Sequence, residues 1–209
     1  MDPDAATIDQ RLARGAKTRR AITRRAVDVA SMEGLNGLSI GRLATDLGLS
    51  KSGVQTLFGT KEQLQLASIE CAREMFTEAV VKPALSADHG VARLRALVER
   101  WLVYAETPLF PGGCFWVANY ADFDSRPGLV RDTLFGEQAR WRELLADELR
   151  HAKEEKGTAE LDPELAAFQI DAALCATNIG LRINDKDIVS KARRTIEQIL
   201  QSANRPLSK

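Results

Sequence analysis

Apolar residues recur at helical spacing along almost the whole chain, and no stretch alternates with the period of two that marks a strand. The pattern predicts nine helices. The first covers about 17–33, with Ile22, Ala26, Val29 and Ala30 on one stripe and Lys17, Arg19, Arg20, Arg24 and Arg25 around it, and Gly34 ends it. Residues 1–16 are polar and read as a loose arm with some helix. Ser39 is a good N-cap for a short second helix, whose Ile40, Leu43, Ala44 and Leu47 keep phase until Gly48. A third short helix follows, capped by Ser50 and closed at Gly59. Thr60 with Gln63 makes a capping box for the fourth, from Lys61 to about Val81, which Pro83 should stop. The fifth runs about Val91–Glu106. The sixth opens at Pro111-Gly-Gly-Cys-Phe-Trp and reaches about Asp124. The seventh spans about Leu129–Glu155, ending near Gly157. The eighth starts at Asp162-Pro163-Glu164 and runs to about Arg182. The ninth covers about Lys186–Ala203, with Ile188, Ala192, Ile196 and Ile199 on one side, and Asn204–Lys209 should fray.

The most informative stretch is 39–61: helix, tight turn, helix. Its third helix turns Lys51, Ser52, Gln55 and Thr56 outward while Leu57 and Phe58 face a core. A short helix with such a face can enter the major groove of DNA. An ordinary hairpin inside a bundle is the alternative. The caps, the basic first helix and the junction from Phe58 to Leu64 agree better with a DNA reader. The expected fold is all-α: a three-helix helix-turn-helix domain at 17–61, then a six-helix ligand-binding and dimerisation domain at 62–204.

Charge changes the picture only through its distribution. The 209 residues hold 29 basic and 29 acidic side chains, so net charge points to no partner. Residues 1–61, however, hold ten Lys and Arg against six Asp and Glu, a net of +4, and the remainder carries −4. A basic head on an acidic body is what a phosphate-binding segment produces. Cys71, Cys114 and Cys175 are far apart and odd in number, which argues against a disulfide framework and for reduced thiols. The opening residues show no signal-peptide pattern, and no apolar run has the roughly 18 residues of a membrane span. A cytoplasmic protein without membrane contact is expected.

Within the motif, Lys51 and Lys61 are the best phosphate contacts and Ser52, Gln55 and Thr56 the best base readers. Thr18, at the start of the first helix, and Ser39 are further phosphate donors, though Ser39 serves equally as a cap. Arg11 and Arg14 lie in an arm that could reach a groove. Most aromatic residues come after the fourth helix. Trp116, Asn119, Tyr120 and Phe123 share one face of the sixth helix, and Trp101 and Tyr104 sit three apart on the fifth. With Phe110, Trp141 and Phe168 these could bound a cavity for a small, largely apolar ligand, with Asn119, Asn178 and Gln169 as polar anchors. Core packing is the other role open to each aromatic. Cys114, at a helix start, could line the cavity or react as a thiolate, with a buried inert thiol as the alternative. His89 and His151 are far apart with no partner pattern, so no metal site is expected, and no cofactor. No Gly-rich phosphate loop, nucleophile elbow or HExxH sequence appears, so the chain nominates no catalytic residues.

The run from Thr18 to Leu66 resembles the DNA-binding domain of the tetracycline-repressor (TetR) family of bacterial regulators. The resemblance rests on Glu33-Gly34, Leu38-Ser39-Ile40, Leu43-Ala44, Leu47-Gly48-Leu49-Ser50-Lys51-Ser52 and Phe58-Gly59-Thr60-Lys61-Glu62-Gln63-Leu64. Beyond Leu66 it lies in layout alone: six further helices, of which the last two form a dimer bundle in that family. Gln55 departs from the family, which usually carries an aromatic there that touches a phosphate. The resemblance implies a homodimeric repressor, paired through the eighth and ninth helices, that leaves a double-stranded operator when a small effector binds. The alternative is a helical dimerisation or protein-interaction module whose helix-turn-helix has lost DNA affinity.

Overall fold

The structure, a computed structural model, describes residues 3–156 and 161–202, and every regular element among them is helical. In chain order these are α1 (Pro3–Glu33), a 3-10 turn (Leu35–Gly37), α2 (Ile40–Asp46), α3 (Lys51–Phe58), α4 (Lys61–Phe76), a π turn (Thr77–Val81) and α5 (Lys82–Ala84). Then follow α6 (Val91–Glu106), α7 (Phe115–Phe123), α8 (Leu129–Lys156), α9 (Pro163–Arg182) and α10 (Ile188–Ser202). Two expectations need correction. The polar residues before Lys17 do not form a loose arm from Pro3 onward; α1 continues through them. Pro83 does not end the fourth predicted helix. The chain widens to a π turn, and Pro83 sits in the first turn of α5, where its missing N–H is harmless. The expected stop at Gly157 and the fraying of Asn204–Lys209 lie outside the described residues.

The chain forms two compact units. One comprises Met1–Ala72 with Phe110–Val130, the other Arg73–Leu109 with Arg131–Lys209. Phe110–Val130, and α7 with it, belongs to the same unit as α1.

The first unit is built on α1. Its Ile22, Ala26, Val29 and Ala30 are buried, as the periodicity required, with Leu35, Leu38, Leu43, Val54, Phe58, Leu64, Phe110 and Phe115. The basic side chains of α1 do more than face solvent. Arg19 donates to the Leu57 carbonyl at 2.6 Å and lies 4.5 Å above the Phe58 ring. Arg25 pairs with Asp46 at 2.7 Å. These two contacts hold α3 and α2 against α1. Between α2 and α3 the chain reverses at Gly48, whose φ of 64° is a backbone conformation that side chains disfavour. Leu49 then donates to the Ala44 carbonyl at 2.8 Å and closes the turn.

α7 is fastened to the same helix by polar bonds. The Asn119 carbonyl accepts from the Leu35 N–H at 2.6 Å, and its amide donates to the carbonyls of Phe115 at 2.7 Å and Ala30 at 3.3 Å. Ahead of α7, the Gly112 N–H donates to the Ser31 hydroxyl at 3.0 Å. A Cβ on Gly112 would collide with the Ser31 backbone.

In the second unit α6 is the hub. Leu94, Leu97, Trp101, Leu102 and Ala105 are buried on it, as are Leu145 and Leu149 of α8, Ile170 and Leu174 of α9, and Ala192 and Ile196 of α10. Asp162 caps α9 by accepting from Leu165 N at 3.0 Å, and Pro163 takes the first helical position. Gly180 permits the side chain of Ile188 to press against α9. Arg95 pairs with Glu197 at 2.8 Å and Arg193 with Glu99 at 2.9 Å, tying α10 to α6.

Candidate nucleic-acid interface and effector site

On α3, Val54 and Phe58 are buried while Lys51, Ser52, Gln55 and Thr56 are exposed. The Ser50 hydroxyl accepts from Gly53 N at 3.1 Å and so satisfies one of the open N–H groups at the helix start. The polar side chains are partly occupied within the helix. Ser52 Oγ donates to Ser50 Oγ at 3.4 Å, and Thr56 Oγ1 donates to the Ser52 carbonyl at 2.8 Å. The Gln55 amide donates to the Gly59 carbonyl, leaving its oxygen open to a further donor. Lys51 has no ion pair among the described residues.

The other predicted contacts are placed differently. Thr18 is not at a helix start, because α1 begins at Pro3; it lies mid-helix, its hydroxyl donating to the Arg14 carbonyl at 3.0 Å. Ser39 is exposed and caps α2, accepting from Arg42 N at 3.4 Å. Lys61 is exposed, but its ammonium donates to the Asn36 carbonyl. The Arg11 side chain lies outside the described residues. Beside this face, Arg42 binds Glu33 and holds its carboxyl below the ordinary value.

The proposed cavity aromatics divide between the two units. Phe110, Cys114, Trp116, Asn119, Tyr120 and Phe123 belong to the first. There Phe115 meets Phe110 and Trp116 edge to face, with centroids 6.1 and 5.3 Å apart. The Asn119 amide is spent on α1 and the following turn, which corrects its assignment as a ligand anchor. Cys114 is buried at the start of α7, and no disulfide joins the three cysteines. Trp101, Tyr104, Trp141, Phe168 and Asn178 belong to the second unit. Here Phe76, the last residue of α4, is central. Its ring lies 5.4 Å from Tyr104 and 5.4 Å from Trp141, both edge to face, and Trp101 lies 6.2 Å from Tyr104. Asn178 is buried, whereas Phe168 is 56% exposed, away from the buried aromatic rings, and Gln169 is exposed beside it.

The sequence gives no sign of the burial of Asp171 or of the closeness of the two histidines. Asp171 is buried on α9, where loss of water raises its pKa against the opposing pull of Arg142 and of a 3.3 Å bond from Gln138. His89 and His151, expected to be unpartnered, stack with ring centroids 4.6 Å apart.

The family model for the tetracyclin repressor-like C-terminal domain matches residues 90–196, just over half of the chain. The chain belongs to the TetR family. No curated protein sequence matches it. Among solved TetR-like structures, a TetR transcriptional regulator from Chloroflexus aurantiacus J-10-FL is 24% identical, covering 90% of this chain and 97% of its own with a TM-score of 0.81. A transcriptional regulator from Saccharomonospora viridis in complex with choline is 18% identical, with a TM-score of 0.71 over 89% of this chain and 96% of that one. AibR, in complex with isovaleryl coenzyme A and operator DNA, is 18% identical, with a TM-score of 0.65 over 86% and 96%. These likenesses show that the all-α TetR fold extends over 86–90% of the chain, and so beyond residues 90–196. Among the described residues no helix is long and apolar enough to cross a membrane.

Proposed function

We propose that this TetR-family chain is a homodimeric transcriptional repressor, cytoplasmic and without catalytic activity, released from its operator by a small, largely apolar effector. The observation that carries this reading is α3: eight residues, capped at Ser50, anchored through Val54 and Phe58, with Lys51, Ser52, Gln55 and Thr56 exposed on its outer side. Lys51 contacts phosphate, and Ser52, Gln55 and Thr56 face base edges.

The effector site is the aromatic cluster of Phe76, Trp101, Tyr104 and Trp141, with the buried Asn178 and Asp171 supplying polarity. The fold neighbours that hold choline and isovaleryl coenzyme A support a small-molecule ligand. Phe76 is the last residue of α4, and Lys61, directly after α3 and Gly59-Thr60, is the first. A ligand that displaces Phe76 therefore acts on the helix that leads out of the DNA reader. It can do so only by binding two arrangements with different affinity.

Pairing of subunits through α9 and α10 is supported by an uncovered apolar stripe. Leu165, Phe168 and Ile179 of α9 and its C-cap Ile183 are 53–73% exposed, and Ala172 and Ala176 of α9 are exposed between them. Two copies packed there form a four-helix bundle, and its two-fold axis presents two α3 helices about one DNA turn (roughly 34–36 Å) apart.

Fluorescence anisotropy with DNA from upstream of the gene tests the reading. Salt-dependent binding that a candidate effector reverses supports it. Unchanged DNA affinity at proven effector occupancy removes the coupling, and absence of salt-dependent binding leaves the interaction-module alternative.

A further inference from the structure

We propose that His89, Glu148 and His151 form a binding site for one divalent transition-metal ion of the zinc class. One nitrogen from each histidine and one carboxylate oxygen lie within 4.8 Å of one another. Glu148 and His151 stand three residues apart on α8, on one face, and His89 stands next to Gly90, the N-cap of α6.

The surroundings suit ligation. Glu148 is 1% exposed, and its Oε2 accepts from the Gly90 N–H at 2.8 Å, so Oε1 remains for a ligand. His151 Nδ1 lies 2.9 Å from the Asp147 carbonyl. That bond places the ring hydrogen on Nδ1 and the lone pair on Nε2, the backbone-fixed tautomer found behind metal-bound histidines. His89 Nδ1 is 3.2 Å from Glu148 Oε1, and the two rings stack at 26°.

Arg93 is the competitor. Its Nη1 lies 3.6 Å from Glu148 Oε1 and 2.9–3.1 Å from the His89 ring nitrogens, while its Nε is held by the Ala87 carbonyl at 2.9 Å. One arginine satisfies the charge of a buried carboxylate, but it gives no reason for a second imidazole to stand within 4.8 Å of the same group. Bonds of about 2.0–2.2 Å to zinc require the donors to draw together by roughly 1 Å. His89, whose side chain is 52% exposed, can supply that movement, and Arg93 Nη1 yields. Two nitrogens and one oxygen match the three-ligand zinc pattern, with a fourth position for water, and disfavour magnesium and calcium. Copper, nickel and cobalt compete at such a site. Loading cross-links the start of α6 to α8 and so couples metal binding to the stability of the second unit.

The test uses the untagged full-length chain stripped by a chelator. Zinc is titrated against a chromophoric chelator, and cobalt is followed by absorption. One ion per chain is expected, with d–d bands of nitrogen and oxygen ligands and no thiolate charge-transfer band. His89→Ala and His151→Ala should each weaken zinc at least tenfold while circular dichroism and DNA binding persist. Arg93→Gln should tighten it by about tenfold, because a neighbouring cation is removed. No stoichiometric ion, thiolate bands, or an affinity that survives both histidine variants overturns the proposal.

Discussion

Lys51 and Lys61 are equivalent by sequence logic and differ once the chain is folded. Lys51 stands exposed on α3 without an ion pair among the described residues, whereas the Lys61 ammonium already rests on the Asn36 carbonyl. Lys51→Ala should therefore weaken binding to all DNA sequences alike and lower the slope of log K against log salt by about one unit. Lys61→Ala should lower it by less, since a phosphate there competes with an internal bond. A salt titration of each variant measures both, and an unchanged slope for Lys51→Ala would remove it from the phosphate contacts. By sequence Asn119 shares a helix face with Trp116, Tyr120 and Phe123, which makes it a candidate ligand anchor. Instead it bonds Leu35 N, Ala30 O and Phe115 O in a buried position. Asn119→Ala should cost about 1–3 kcal/mol in chemical denaturation, because the Leu35 N–H loses its partner away from water. It should leave effector affinity unchanged.

At the scale of elements, periodicity and caps located the helices well. Ser39, Ser50 and Asp162 cap where the sequence placed them, and the bounds of α6 and α9 agree with the pattern. Those signals are local, and a helix end is decided by residues within four positions of it. What stayed hidden depends on which helix meets which. Nothing in the sequence of α7 says that it packs on α1, and nothing links His89 to α8 far downstream. The place of Phe76 in the cluster is hidden for the same reason: its partners Tyr104 and Trp141 lie on other helices. Glycines show how packing reverses a local rule. Gly15, in α1, has nothing within 4 Å of a virtual Cβ, so Gly15→Ala should stabilise by about 0.5–1 kcal/mol through helix propensity. Gly112→Ala would drive a methyl into the Ser31 backbone and should destabilise by about 1–3 kcal/mol. Thermal melts of the two variants should move in opposite directions; a shared direction would contradict the α1–α7 contact.

For the whole molecule, the decisive surface is the outer stripe of α9. A monomer that leaves Phe168 and Ile183 56% and 73% exposed carries an apolar face that water does not favour. Phe168→Glu combined with Ile179→Glu should yield a folded monomer in analytical ultracentrifugation and reduce operator affinity at least a hundredfold, because two half-sites would no longer be engaged together. A dimer that survives both charges would place the partner elsewhere. The route of the chain has a practical corollary for anyone building hybrid regulators. The reader is not a detachable N-terminal cassette: it is completed by Phe110–Val130, which returns long after the helix-turn-helix has been written. Grafting residues up to Ala72 alone onto a foreign partner would strip α1 of its Asn119 and Gly112 fastenings. A working hybrid needs three splice points, near Ala72, Leu109 and Val130, so that the late-coming helix travels with the head it supports.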